Sequence, residues 1–186
     1  IVSIGRLIEK KGFADLVAAC AILRTGGRDF TSKIIGEGPL DSALRAQISS
    51  LGIDDRVELV GPRSQAEVRD ILSDATVFVL PCTAEKDGGM DNLPTVIMEA
   101  MSAGLPVIST PVAGVPEMVE EGLTGLLVPE RDPTALAAAI EGVIANPADA
   151  RWLGSNGLAV AREKFSIETS ARNLREIFAR PAAHPI

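Results

Sequence analysis

Short apolar runs alternate along the chain with longer stretches whose apolar positions recur at helical spacing. The runs at 1–4, 32–35, 57–60, 76–80, 106–109 and 125–128 are largely apolar throughout and do not alternate with polar residues. A strand with one wet face would alternate, so these runs predict strands covered on both faces, as in a parallel sheet. The longer stretches predict helices at 13–25, 40–51, 65–73, 95–103, 116–120, 133–145, 147–164 and 167–179.

Strand, helix and strand in repetition imply right-handed βαβ units. The expected fold class is α/β: a doubly wound, parallel, six-stranded Rossmann-like sheet with additional C-terminal helices. Gly26-Gly27, Gly52 and Gly104 follow predicted helices and suit left-handed helix stops. Pro116, Pro133 and Pro147 stand at predicted helix starts, where a missing N–H costs nothing. The last helices run with no strand between them. In the final one, Ile167, Leu174, Ile177 and Phe178 form an apolar stripe that needs something to pack on.

With 186 residues, the chain is long enough for one domain with a substantial core, expected over 1–180, and residues 181–186 are expected to be a disordered tail. The net charge of −7 excludes the broad basic surface that nucleic acid or an anionic membrane requires, while a pocket for a small anion needs only a few local cations. Cys20 and Cys82, the two cysteines, are far apart and suggest a reducing, cytoplasmic setting without disulfides. The single histidine, His184, lies in the tail, so histidine-based triads and a zinc site are not expected. No apolar run approaches the ~20 residues of a membrane span. The chain opens directly in a strand-like run, IVSIGR, without Met and without a signal peptide, which suggests a piece of a longer protein.

In an open α/β sheet, ligands bind beyond the carboxyl ends of the strands, near the switch point. The first such loop reads Gly5-Arg6-Leu7-Ile8-Glu9-Lys10-Lys11-Gly12. Arg6 directly follows a strand, and Lys11 precedes a helix start. Together with the helix dipole, the two cations suit a diphosphate. The alternative is a solvated loop whose charges pair with Glu9 or Asp15. There is no P-loop, and Gly36-Glu37-Gly38-Pro39 lacks the third glycine of a dinucleotide site.

The second loop runs from Glu85 through Asp91, Asn92, Leu93 and Pro94 into a helix carrying Thr95, Val96 and Glu99. With Pro94 as the first helical residue, the early amides near Thr95 and Val96 face the loop and can bind an anion. Glu99 lies about one turn further in and leans back toward that end. Its neighbours are nearly all apolar, which predicts a buried carboxylate in need of a partner such as a ligand hydroxyl. A dipole-stabilising role for Glu99 and a helix-capping role for Asp91 are the structural alternatives. Glu85, Asp87 and Asp91 raise the option of a Mg²⁺ site, although Arg6 and Lys11 offer the charge such an ion would supply.

GRLIEKKG resembles the glycine-Arg-Leu…Lys-Gly loop of the family 4 glycosyltransferases, which have the GT-B fold. DNLPTVIMEAMSAGLPVIST resembles their acid-x7-Glu donor segment, and VAGVPEMVEEGLTGLLVPERDPTALAAAI the end of the same domain. The resemblance spans nearly the whole chain and implies the C-terminal, donor-binding half of a bacterial, retaining enzyme of polysaccharide biosynthesis. It implies that Gly5, Arg6 and Lys11 hold the donor diphosphate. Glu99 then binds the ribose hydroxyls, Asp91 the transferred sugar, and the amides of Leu93, Thr95 and Val96 support sugar and phosphate. Asp91-Asn92 stands where the family has Glu-Gly, which bears on sugar choice.

The implied substrate is a nucleoside-diphosphate sugar, with no further cofactor and no metal. The acceptor half, an N-terminal domain, is expected to be missing from this chain, leaving the chain inactive by itself. The family leaves room for peripheral membrane association of the full-length protein. A sugar-nucleotide epimerase half of the same architecture and a non-catalytic nucleotide-binding module are the competing readings. The epimerase would need histidines and acids that the motif loops lack.

Overall fold

The computed structural model describes residues 1–84 and 93–179 of the chain. Six strands form one sheet in the order β3-β2-β1-β4-β5-β6. They are β1 (Val2–Ile4), β2 (Ser32–Ile35), β3 (Val57–Gly61), β4 (Phe78–Leu80), β5 (Val107–Ser109) and β6 (Gly125–Leu127). Every neighbouring pair is parallel. The helices are α1 (Phe13–Thr25), α2 (Asp41–Ser50), α3 (Gln65–Ser73), α4 (Thr95–Ser102), α5 (Val115–Met118), α6 (Pro133–Ala145), α7 (Pro147–Lys164) and α8 (Ile167–Ala179). The chain thus steps outward from β1 in one direction and then from β4 in the other. This is the doubly wound α/β arrangement expected from the alternation of runs.

The apolar runs are apolar because both sheet faces are covered. Val77, Phe78, Val79 and Leu80 are wholly inaccessible, as are Val107 and Ile108. Helix α1 packs on α6, and α4 packs on α7. Two of the buried hydroxyls on the strands are satisfied across the sheet. The Ser3 hydroxyl donates to the Val79 carbonyl, and the Ser109 hydroxyl donates to the Leu80 carbonyl at 2.6 Å. These bonds remove the cost of burying the hydroxyls.

The helix stops follow the sequence signals. Gly27, Gly52 and Gly104 have φ of 71°, 64° and 75°. The residue after each returns a backbone bond into the last turn: Arg28 N–H to Leu23, Ile53 to Ile48 and Leu105 to Ala100. Each pattern satisfies carbonyls that the helix end would leave bare. One expected start is corrected. Pro94 caps α4 in an extended conformation (φ −70°, ψ 93°), and Thr95 is the first helical residue. Strands β1, β4, β5 and β6 are also one or two residues shorter than the apolar runs containing them.

The terminal helix α8 carries its apolar stripe in the open. Ile167 is 84% exposed, Leu174 53%, Ile177 60% and Phe178 83%. The expected tail at 181–186 lies outside the described residues.

Candidate functional site

The loops leaving β1 and β2 run side by side past the strand ends. Gly5 N–H donates to the Ile35 carbonyl at 3.0 Å, Leu7 N–H to Glu37 at 2.9 Å, and Leu40 N–H back to Leu7 at 3.1 Å. Wholly buried Leu7 anchors the first loop. The two loops touch backbone to backbone. A Cβ on Gly36 (φ 143°) would lie 1.9 Å from the Gly5 carbonyl oxygen, and one on Gly38 would lie 2.5 Å from that of Leu7. Only glycine permits this approach. Gly36-Glu37-Gly38 is therefore a structural seam and a wall of the site, although it is not a dinucleotide fingerprint.

The seam floors a cleft of about 620 Å³ lined by Gly5, Arg6, Gly36, Glu37, Gly38, Pro62, Arg63 and Val68, together with Ile4 and Ile35. All stand at or beyond the carboxyl ends of β1, β2 and β3, the edge where α/β sheets bind ligands. Arg6 is exposed at this cleft, and its guanidinium has no hydrogen-bond or ion-pair partner among the described residues. The Lys11 stem folds back across Gly5, its Cε and Cδ 3.2 and 3.3 Å from the position a Gly5 Cβ would take. Gly5, Arg6 and Lys11 are thus brought together, as the sequence led one to expect. Lys11 closes a 3-10 turn, Glu9–Lys11, that ends on left-handed Gly12 (φ 66°). Helix α1 begins directly after it, with no side chain capping its first amides. The positive end of that helix therefore points at the loop holding the two cations.

The solvated-loop alternative placed Glu9 or Asp15 against these cations. Glu9 instead pairs with Arg131, at 3.6 Å. No ion pair joins Asp15 to Arg6 or Lys11 among the described residues. Burial raises the Asp15 carboxyl above its ordinary value, and the charge of Arg131 offsets part of that rise.

The acid segment is seen only at its ends. Asp91, like Glu85 and Asp87, lies outside the described residues, so neither its sugar role nor the Mg²⁺ option is tested. Among the described residues, no group of three or more His, Cys, Asp or Glu is placed to hold a metal. Leu93 is 46% exposed at the entry to α4. The amides of Thr95 and Val96 have no acceptor within the helix, and no side chain caps that end. Glu99 requires a correction. It was expected to be a buried carboxylate, but it is exposed, while Ile97, Ala100 and Met101 carry the burial of α4. The apolar neighbours in the sequence belong mainly to the opposite face. Thr95 and Glu99, four residues apart, share the exposed face, so the Glu99 carboxylate still leans toward the open amides. Leu93, Thr95, Val96 and Glu99 do not line the 620 Å³ cleft. They stand on the β4 side of the switch point.

Some residues of the site escaped the sequence reading. Arg63 follows β3 and lines the cleft, and its position is fixed by the start of α3. There Ser64 N–H donates to the Glu67 carboxylate at 2.8 Å, and the Ser64 hydroxyl accepts from Glu67 N–H at 3.3 Å. The Ser64 hydroxyl and amide hold the Glu67 carboxyl below its ordinary value. Ser-x-x-Glu ahead of a helix is a readable capping box, and it marked the loop in which Arg63 sits. Glu130 and Arg131, after β6, were also passed over.

Residues 1–146 match the family described as Glycosyl transferases group 1. The chain belongs to the group 1 glycosyltransferases. It is 38% identical over 182 residues to the amylovoran biosynthesis glycosyltransferase AmsK of Erwinia amylovora, covering 98% of this chain and 45% of that protein. Among solved structures it is similar to Anabaena Alr3699/HepE in complex with UDP-glucose, with TM-score 0.84 and 27% identity, over 96% of this chain and 48% of that one. A C-terminal domain of a group 1 glycosyltransferase (LpcC) from Francisella tularensis has the same fold, with TM-score 0.76 and 22% identity, over 89% of this chain and 86% of that one. The group 1 chain described here thus has the fold of one GT-B half and spans less than half the length of AmsK. No helix among its described residues is long and apolar enough to cross a membrane.

Proposed function

We propose that this chain is the donor-binding half of a retaining glycosyltransferase that moves a sugar from a nucleoside-diphosphate sugar to an acceptor hydroxyl. The observation that carries the reading is the convergence of Arg6 and Lys11 around Gly5, beside the cleft and in front of the α1 N-terminus. In this reading the cleft takes the nucleoside, and Arg6 and Lys11 hold the diphosphate. Glu99 binds ribose hydroxyls, Asp91 contacts the transferred sugar, and the amides of Leu93, Thr95 and Val96 support sugar and phosphate. As the glycosidic bond breaks, negative charge grows on the departing diphosphate. Cations and helix amides already aimed at that charge lower the barrier without reorganising.

The donor class is supported by HepE, whose structures hold UDP and UDP-glucose. AmsK acts in amylovoran biosynthesis, which supports bacterial polysaccharide biosynthesis as the setting. In the full-length protein a second half supplies the acceptor site, and the α8 stripe packs toward it. The present chain then binds donor without turning it over. No metal or other cofactor is required in this reading, because the cations of the chain neutralise the diphosphate.

A thermal-shift and calorimetry panel of UDP-, GDP- and ADP-sugars tests the assignment. One nucleotide family is expected to bind, with affinity reduced in Arg6→Ala and Lys11→Ala. Absence of binding across the panel, or binding indifferent to both substitutions, overturns it. The anomeric configuration of the product of the full-length protein, read by NMR, decides retention.

A further inference from the structure

The turn that carries Lys11 is held from outside by two other loops. The Glu9 carbonyl accepts from the Thr83 hydroxyl at 3.2 Å, and the Lys10 carbonyl accepts from Thr83 N–H at 3.0 Å. Ala84, next in the chain, is gripped on both sides by the loop between β6 and α6. Its N–H donates to the Glu130 carboxylate at 2.9 Å, and its carbonyl accepts from the Arg131 guanidinium at 2.6 Å. The same Arg131 nitrogen stands 3.6 Å from the Glu9 carboxylate. One side chain therefore joins the β1–α1 turn, the exit of β4 and the β6–α6 loop.

Neither the backbone nor the ion pair with Glu9 explains through stability why an arginine stands there. Its φ is 57°, a left-handed conformation that glycine adopts without strain and other residues pay for. Its ion pair with Glu9 is about half exposed on both sides, so water screens most of the attraction. What the side chain contributes is a fixed geometry. The Glu9–Lys11 turn has its two carbonyl bonds on the Thr83 side, and Arg131 is the only side chain among the described residues that pairs with the Glu9 carboxylate. Turning or sliding this turn moves the Lys11 stem across Gly5 and displaces its ammonium relative to Arg6.

We propose that Arg131 is a positioning residue for the donor diphosphate, acting through Glu9 to hold the Lys11 turn in register with Arg6. The inference rests on the reading of Arg6 and Lys11 as the diphosphate site. Arg131 does not touch the ligand. It sets where the second cation stands, and Glu130 fixes the Ala84 peptide on which the same guanidinium is seated.

The test measures UDP, GDP and ADP binding by calorimetry, with uridine, guanosine and adenosine followed by NMR titration, for the wild-type chain and for Arg131→Gly, Arg131→Lys and Glu9→Gln. Glycine relaxes the left-handed backbone, so Arg131→Gly is expected to melt at the same temperature as wild type or higher. It should still bind the nucleoside diphosphate about ten-fold more weakly, the equivalent of one charge-assisted contact. Nucleoside binding should be unchanged, Glu9→Gln should reproduce the loss, and Arg131→Lys should recover part of the affinity. A merely structural role predicts a lower melting temperature and equal losses for nucleoside and diphosphate, and that pattern overturns the proposal. So does diphosphate binding in Arg131→Gly that equals wild type. If the wild-type chain binds none of the three diphosphates, the donor-site reading itself falls, and the role of Arg131 falls with it.

Discussion

Gly12 lies so close to Pro81 that a Cβ on it would sit 1.8 Å from the Pro81 carbonyl oxygen. This contact joins the end of the cation loop to the exit of β4, and Gly12 also holds a φ of 66° there. Gly12→Ala therefore meets two penalties, the left-handed backbone and an overlap with main chain that cannot rotate away. Together they should cost about 2–4 kcal/mol. Urea denaturation of the variant and wild type gives the difference directly. A loss below about 1 kcal/mol would mean that the two loops are not in contact.

Glu99 and Asp91 are expected to do separable work. Glu99→Gln should weaken nucleosides, diphosphates and nucleotide sugars alike, because its proposed contact is ribose. Asp91→Asn should weaken only ligands that carry the sugar. Each loss should be roughly ten- to one-hundred-fifty-fold, the range for a hydrogen bond to a charged group. Calorimetry of both variants against diphosphate and diphosphate-sugar decides it, and equal losses on both ligands in both variants would contradict the division.

Cys20 gives the fold an alkaline limit. Burial raises its thiol from an ordinary 9.0 to about 11, with a smaller lowering effect from its contact with Ser32. The folded state therefore holds this proton more tightly than the unfolded chain. The stabilisation is fully present below about pH 9 and is lost as pH rises from about 9 to about 11. Its size is on the order of 2–3 kcal/mol. Cys20→Ala should flatten that part of the stability profile, as measured by urea denaturation from pH 8 to pH 11. An unchanged slope would show that another group sets the limit.

Helix α8 should behave differently in the chain and in the full-length protein. Leu174 and Phe178 are exposed here, so Leu174→Ser and Phe178→Ser should change stability by less than about 0.5 kcal/mol. If the second half covers the stripe, each change should cost roughly 1.5–3 kcal/mol in the full-length protein. Denaturation of both proteins, with hydrogen exchange over 166–179, makes the comparison. Equal small effects in both would leave the stripe without a role in joining the halves.

The fold was legible because its signals are local and repeated. Strands buried on both faces have nowhere to put polar residues, and Gly27, Gly52 and Gly104 announce helix ends through a conformation other residues avoid. Arg6 and Lys11 were legible because position alone, one after a strand and one before a helix, puts them at the binding edge. The burial of Glu99 was misread for a definite reason. Val96, Ile97, Met98, Ala100 and Met101 flank it in sequence, but α4 turns Glu99 to the exposed side and buries Ile97, Ala100 and Met101. Arg131 was not legible. Its partners Glu9 and Ala84 are brought to it only by the order in which the strands assemble, and no pattern near residue 131 encodes them.

The seam between Gly5, Gly36 and Gly38 divides the cleft into parts with different freedom to change. Its floor is peptide groups in mutual contact, and any side chain placed at Gly36 or Gly38 collides with main chain. Its rim beyond Arg6 is Glu37, Arg63 and Val68, side chains that can be exchanged without moving the floor. Drift in ligand preference is therefore open at the rim and closed at the floor. A laboratory selection for a different nucleotide should draw its successful variants from those rim positions, with the glycines retained in every survivor.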